Sequence, residues 1–136
     1  MNNVSIHPED YKILVVDDIA TNVMLLKAVL GKAKYRIVTA TGGHEALMKT
    51  ESERPDLILL DIMMPDMDGY QVISVLKADE RFSEIPVIFL SAKDEEADQV
   101  VGFTLGAEDY VTKPFRPREL VARVKARLRR RKAAPQ

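Results

Sequence analysis

The chain has 136 residues, 46% of them hydrophobic and 30% charged. That is one domain's worth of polypeptide with the composition of an ordinary globular protein, and a second folded domain will not fit. It contains no cysteine, which excludes disulfides, thiolate metal sites and thiol nucleophiles. No apolar run nears the ~20 residues of a membrane span. The start, with His7, Glu9 and Asp10 soon after Met1, lacks the basic-then-apolar order of a secretory signal. A cytoplasmic address without membrane contact is therefore expected. The net charge of −1 conceals a division: residues 1–115 carry 11 basic and 20 acidic side chains, residues 116–136 carry 9 basic and one acidic, Glu119. This pattern reads as a basic helix or tail on an acidic body. A solvated helix leading into a linker is favoured over contact with nucleic acid or an anionic surface.

Short β-branched runs alternate with longer helical patterns along the chain. A first strand is predicted at residues 12–16, followed by a helix from about Thr21 that places Val23, Leu26 and Leu30 on one stripe. A strand over 35–40 leads to a helix over 43–52, with Ala46 and Leu47 inward. A strand over 57–60 leads to a helix starting at Gly69 or Tyr70 that buries Val72, Ile73 and Leu76. A strand over 86–90 precedes a helix over roughly 95–105, stopped by Gly106. The last strand, 108–112, precedes a helix opened by Pro117, with Leu120, Val121, Val124 and Leu128 at 3.6 spacing. The runs Ile13-Leu14-Val15-Val16, Leu57-Ile58-Leu59-Leu60 and Val87-Ile88-Phe89-Leu90 are continuous rather than alternating, as in strands covered on both faces. Five strands, each followed by a helix, predict an α/β fold with a parallel sheet. The tail from Arg129 to Gln136 either frays or extends the last helix.

In an open α/β sheet the ligand site lies at the carboxyl ends of the strands. Strand one ends in Asp17-Asp18, strand three in Asp61, strand four in Ser91, and Lys113-Pro114 follows strand five. Each alone is an ordinary turn or cap residue; together they would put three carboxylates, a hydroxyl and an ammonium on one rim. Three negative charges with only Lys113 nearby leave roughly the charge that one divalent cation neutralises. A donor set without His or Cys selects a hard ion, Mg²⁺ by abundance. Such an ion orders phosphate oxygens for in-line attack, and one carboxylate remains as nucleophile.

The motifs Ile13-Leu14-Val15-Val16-Asp17-Asp18, Leu59-Leu60-Asp61-Ile62-Met63-Met64-Pro65-Asp66-Met67-Asp68-Gly69, Leu90-Ser91-Ala92, Gly106-Ala107-Glu108-Asp109-Tyr110 and Lys113-Pro114-Phe115 occur in the order of a known family. The chain resembles a CheY-like receiver domain of two-component response regulators. The resemblance covers residues 11–128, leaving an extension at 1–10 and a basic tail or start of a linker at 129–136. It implies a doubly wound, flavodoxin-like (βα)5 fold with a parallel sheet of order 2-1-3-4-5, two helices on one face and three on the other. It implies that Asp61 accepts a phosphoryl group from a phosphohistidine on a sensor histidine kinase or histidine phosphotransfer protein. Asp18 would ligate Mg²⁺ directly, Asp17 mainly through water, and Met63 through its backbone carbonyl. Ser91, Ala92 and Lys113 would meet the phosphoryl group. Lys113 precedes Pro114 in a peptide bond that is cis in the family. Ser91 and Tyr110 match a switch pair, the ring turning inward behind the hydroxyl and reshaping the surface of helix four, strand five and helix five. A degenerate receiver, acting as an interaction module without phosphorylation, is the alternative.

Other readings explain less. A haloacid-dehalogenase-type phosphatase wants a second Asp where Met63 stands, and a flavodoxin-like carrier, with Thr39-Ala40-Thr41-Gly42-Gly43 as its phosphate loop, leaves the carboxylates unexplained. Asp66 and Asp68 are expected to make turn hydrogen bonds, His7 and His44 to lie on the surface, and Met63, Met64 and Met67 to pack within their loop. Met63 and Lys93 occupy positions where polar side chains could orient a water, so slow hydrolysis of the phosphoryl group is expected. The last helix resembles that of transcription-factor regulators that form homodimers through helix four, strand five and helix five, with Asp109 and Arg123 as one ion pair across the interface. Gln99 replaces a basic residue of that group, and Asp17-Asp18-Ile19-Ala20-Thr21-Asn22 looks more like receivers attached to diguanylate cyclases or hybrid kinases. A C-terminal output domain, a stand-alone regulator and the homodimer all stay open; direct nucleic-acid contact by this domain is not expected.

Overall fold

The computed structural model describes residues 5–92 and 96–133. The strands are β1 (Lys12–Val16), β2 (Arg36–Ala40), β3 (Leu57–Leu60), β4 (Val87–Ser91) and β5 (Asp109–Thr112). The helices are α1 (Ala20–Lys32), α2 (Gly43–Glu53), α3 (Gly69–Ala78), α4 (Glu96–Thr104) and α5 (Pro117–Ala133), with a short 3₁₀ turn at Pro8–Asp10. The five strands form one sheet of order β2-β1-β3-β4-β5, every pair parallel. Predicted boundaries agree to within a residue or two; the predicted start of the fourth helix at Glu95 lies outside the described residues.

The continuous apolar runs divide by parity because successive strand side chains point to opposite faces. Leu14, Val16, Ile58, Leu60 and Phe89 face one core with Ala46 of α2, Val72, Ile73 and Leu76 of α3, and Tyr110. Ile13, Val15, Leu57, Leu59, Ile88 and Leu90 face the other, against Leu26 and Leu30 of α1 and Leu120, Val124 and Leu128 of α5. Both faces of the central strands are covered, while Ile37 and Val38 of the edge strand β2 are only partly buried. Ile6, ahead of β1, is buried in the second core, so part of the expected extension packs into the domain.

Helix ends follow local chemistry. α1 closes when Lys34 N–H donates to Gly31 C=O at 2.9 Å and Tyr35 N–H to Leu30 C=O at 3.2 Å. This closure puts Lys34 at φ 80°, a conformation glycine adopts with less strain. Gly106 takes the same role after α4 at φ 110°. α5 does not stop at Leu128: it continues through Ala133, and Arg131 Nη1 donates to Asp56 C=O at 2.7 Å at the amino edge of β3.

Candidate functional site

Three of the polar residues are set by one more rung of the sheet ladder. Asp17 N–H donates to Ala40 C=O at 3.1 Å, Asp61 N–H to Val16 C=O at 2.9 Å, and Lys113 N–H to Ser91 C=O at 2.8 Å. Each therefore stands immediately past a strand end, fixed to the neighbouring strand. Because Val16 pairs with Leu60, Asp17 and Asp61 leave adjacent strands side by side. Ser91 is the last residue of β4, opposite Thr112, and is fully buried.

Carboxylate oxygens of Asp17, Asp18 and Asp61 lie within 4.8 Å of one another. Asp17 is 1% and Asp61 6% exposed, whereas Asp18 faces solvent. Lys113 Nζ lies 2.9 Å from Asp17 Oδ2 and 3.6 Å from Asp61 Oδ1, and the Lys113–Pro114 peptide bond is cis. The ammonium thus pairs first with Asp17, a preference the sequence does not disclose. Burial pushes the Asp61 carboxyl up to about 6; Lys113 opposes the shift, and Asp17 and Asp18 add to it. Asp61 is consequently a carboxylate held against its preference, with its charge only partly matched.

A magnesium ion would fit this donor set. Each of the three carboxylates offers an oxygen within 4.8 Å of the others, close enough together to converge on one small hard cation. All the donors are hard oxygens.

The loop after Asp61 is pinned at both ends. Gly69 N–H donates to Ile62 C=O at 2.8 Å, and Asp68 caps α3 reciprocally with Gln71. Asp66 crosses to α2, its carboxylate accepting from Gly43 and His44 N–H, both at 3.1 Å. Those bonds hold its carboxyl below the usual range. The expected turn bonds are thus helix caps, one of them between distant segments. Gly42 at the start of α2 has no side chain to cap with, and the loop approaches so closely that a Cβ on Gly43 would lie 2.6 Å from Met67 Cβ. In the supposed phosphate loop the Gly43 amide is thus held by Asp66, and the Thr41 amide by Glu45 at 2.7 Å.

Met63 is 60% exposed beside the rim, whereas Met64 is 8% exposed and packs in the core. Ala92 is exposed; Lys93 lies outside the described residues. Tyr110 is buried, its ring edge-on to Phe89 with centroids 6.1 Å apart, so here the ring already lies inward. Asp109 and Arg123 meet within one chain at 2.7 Å, with Glu119 3.0 Å and Arg127 3.8 Å along the same network. Asp109 opens β5 directly beneath α5, which puts Arg123 of its own chain within reach. His7 and His44 are exposed.

Residues 13–125 match the family described as the response regulator receiver domain, and the chain belongs to that family. Among its relatives is the alkaline phosphatase synthesis transcriptional regulatory protein PhoP of Bacillus subtilis, 52% identical over 123 residues, covering 90% of this chain and 50% of that protein. The DNA-binding response regulator MtrA of Mycobacterium leprae is 46% identical over 124 residues, 91% of this chain and 54% of that protein. The chain therefore spans about half the length of these curated relatives. The receiver domain of a signal transduction histidine kinase from Syntrophus aciditrophicus superposes with a TM-score of 0.84 at 35% identity, over 93% of this chain and 96% of that one. Among the described residues, no helix is long and apolar enough to cross a membrane.

Proposed function

We propose that the chain is a phosphorylation switch in which Asp61 accepts a phosphoryl group from a phosphohistidine of a sensor kinase or histidine phosphotransfer protein. The observation that carries this reading is the convergence of Asp17, Asp18 and Asp61 with Lys113 on one rim. An Asp61 oxygen attacks phosphorus in line as the P–N bond to the donor imidazole breaks, leaving an acyl phosphate and a free histidine. Asp17, Asp18, Asp61 and the Met63 carbonyl would hold Mg²⁺, which when bound neutralises phosphoryl oxygens. Lys113 and Ser91, with Ala92 beside it, supply the remaining contacts. The partly matched charge of Asp61 favours both its ion and its modification.

Phosphorylation adds about −1.5 to −2 charges and three acceptor oxygens. Lys113 exchanges its contact with Asp17 for the phosphoryl group, Ser91 closes on it, and the packing of Tyr110 against Phe89 responds. The α4–β5–α5 surface is the readout, biased by the better fit of the modified state. The chain catalyses only its own modification and its reversal, works in the cytoplasm, and in the full-length protein governs an attached output domain such as the DNA-binding relatives imply.

Incubation with radiolabelled acetyl phosphate and Mg²⁺ tests the assignment. Label that is lost in acid and alkali, and absent from Asp61→Asn, is expected; equal labelling of that variant overturns it. Lys113→Ala should keep Mg²⁺ affinity within about threefold yet abolish the phosphorylation-dependent change in tyrosine signals. Met63→Asn should shorten the lifetime of the acyl phosphate, and an unchanged lifetime removes Met63 as its determinant.

A further inference from the structure

A closed circuit of chain runs through the acidic rim. Asp17 N–H donates to Ala40 C=O at 3.1 Å and Asp61 N–H to Val16 C=O at 2.9 Å, so the ends of β1, β2 and β3 are laced together. From Ala40 the chain passes through Thr41 and Gly42 to Gly43, whose N–H donates to Asp66 Oδ1 at 3.1 Å. From Asp66 it returns through Pro65, Met64 and Met63 to Asp61. Three hydrogen bonds therefore close the ring. Two are backbone rungs of the sheet, and the third is made by the side chain of Asp66.

That side-chain link suits both of its ends. Gly42 leaves α2 without a cap of its own, and Glu45 in the first turn reaches back to Thr41 N–H. The Gly43 and His44 amides are left to Asp66, which takes one with each carboxylate oxygen. The next residue adds a packing contact, since a Cβ on Gly43 would lie 2.8 Å from the Met67 carbonyl oxygen. On the loop side, Pro65 fixes its own φ and confines Met64 to extended conformations, and the Met64 side chain is held in the core. A displacement at Asp66 is thus passed along a stiff segment to Met63. Met63 is 60% exposed, so its own side chain does little to fix it.

We propose that Asp66 is a positioning residue for the ion site. By closing the ring it fixes the Met63 carbonyl, which together with Asp17, Asp18 and Asp61 would hold Mg²⁺. This role rests on the reading of the rim as a Mg²⁺ site. Asp66 acts through the backbone of residues 63–65, with its own oxygens engaged by the two α2 amides. If capping α2 were its whole purpose, a carboxylate at the N-cap of α2 itself would replace it. If the ring matters, that carboxylate would not.

The probe is MgCl₂, titrated into the isotope-labelled chain and followed by amide and carbonyl shifts, with melting curves alongside. Asp66→Ala should weaken Mg²⁺ binding about tenfold, as loss of a group that orients a ligand does. It should also shrink the Mg²⁺-induced shift of the Met63 carbonyl carbon and speed amide exchange at Met63 and Met64 in the metal-free protein. The decisive variant combines Gly42→Asp with Asp66→Ala, which keeps the net charge. The three atoms nearest to a Cβ at residue 42 belong to the Asp66 carboxyl group, so truncating Asp66 opens the space that the new side chain needs. Gly42 is extended, at φ −167° and ψ 170°, as an N-cap requires. The double variant should regain the melting temperature but neither the affinity nor the carbonyl shift. Mg²⁺ affinity that returns with the melting temperature would reduce Asp66 to a helix cap and overturn the proposal. An Asp66→Ala chain that binds Mg²⁺ as tightly as the parent would overturn it too. A parent that binds no Mg²⁺ is a different result, and overturns the reading of the rim and the proposal together.

Discussion

Replacing Asp61 by Asn should stabilise the metal-free protein, and the gain should grow with pH. Asp61 titrates near 3.8 in an unfolded chain and at about 6 in the folded one. The folded state therefore holds this proton more tightly, and folding stability falls as pH rises between those values. At about 1.36 kcal/mol per unit, the ionised side chain disfavours the folded state by about 3 kcal/mol at pH 7.5 and by about 1 kcal/mol at pH 4.5. Asn presents a neutral group of the same shape and removes that penalty. Urea unfolding in EDTA, followed by circular dichroism, should place the variant about 3 kcal/mol above the parent at the higher pH and about 1 kcal/mol above it at the lower. Millimolar MgCl₂ should narrow the gap at pH 7.5 by stabilising the parent. A variant no more stable than the parent, or a gap indifferent to pH, would refute the account of the rim as a site of unmatched negative charge.

Further outcomes follow from local geometry. Lys34→Gly should stabilise the domain by about 0.5–1 kcal/mol by relieving the positive φ at the end of α1, measured as a shift of the urea midpoint at constant slope. Asp66→Ala should destabilise the domain through loss of the α2 cap, with faster amide exchange at Gly43 and His44 as the local signature. Gly43→Ala should cost about 1–3 kcal/mol despite alanine's better helix propensity, because its Cβ meets Met67; equal or greater stability would contradict the close approach. Arg123→Ala should cost about 1–2 kcal/mol by removing the nearer cation of the buried Asp109 and leaving Arg127 at 3.8 Å, again read from urea unfolding.

Much of the architecture was legible because the strands announce themselves twice. Three of them, at 13–16, 57–60 and 87–90, are apolar at every position, which demands cover on both faces, and the polar residue that ends each of these runs marks the carboxyl edge where a site can form. Asp17, Asp18, Asp61 and Lys113 could thus be brought to one rim before any coordinates. What the sequence hides is choice among equivalent partners. Nothing local tells Lys113 to sit closer to Asp17 than to Asp61, since that depends on the path of the β5–α5 connection. Nor does it tell Asp66 to cross 22 residues to His44 rather than form a turn at home. Val121 shows a different limit: helical periodicity places it with Leu120 and Val124, but whether a further element covers it is a property of the assembled face. The polarity of Ser91 makes the sequence pattern end β4 one residue early, although the Ser91 backbone pairs with Thr112 like any strand residue.

The run of α5 from one edge of the sheet to the other has a mechanical consequence. Seventeen residues at 1.5 Å each make a rod about 25 Å long, fastened at its far end where Arg131 grips the Asp56 carbonyl. With that grip as fulcrum, a tilt of about 5° moves the Pro117 end by about 2 Å. Small adjustments around Lys113 and Phe115, just ahead of Pro117, are thereby geared to a rotation of the whole rod rather than absorbed where they arise.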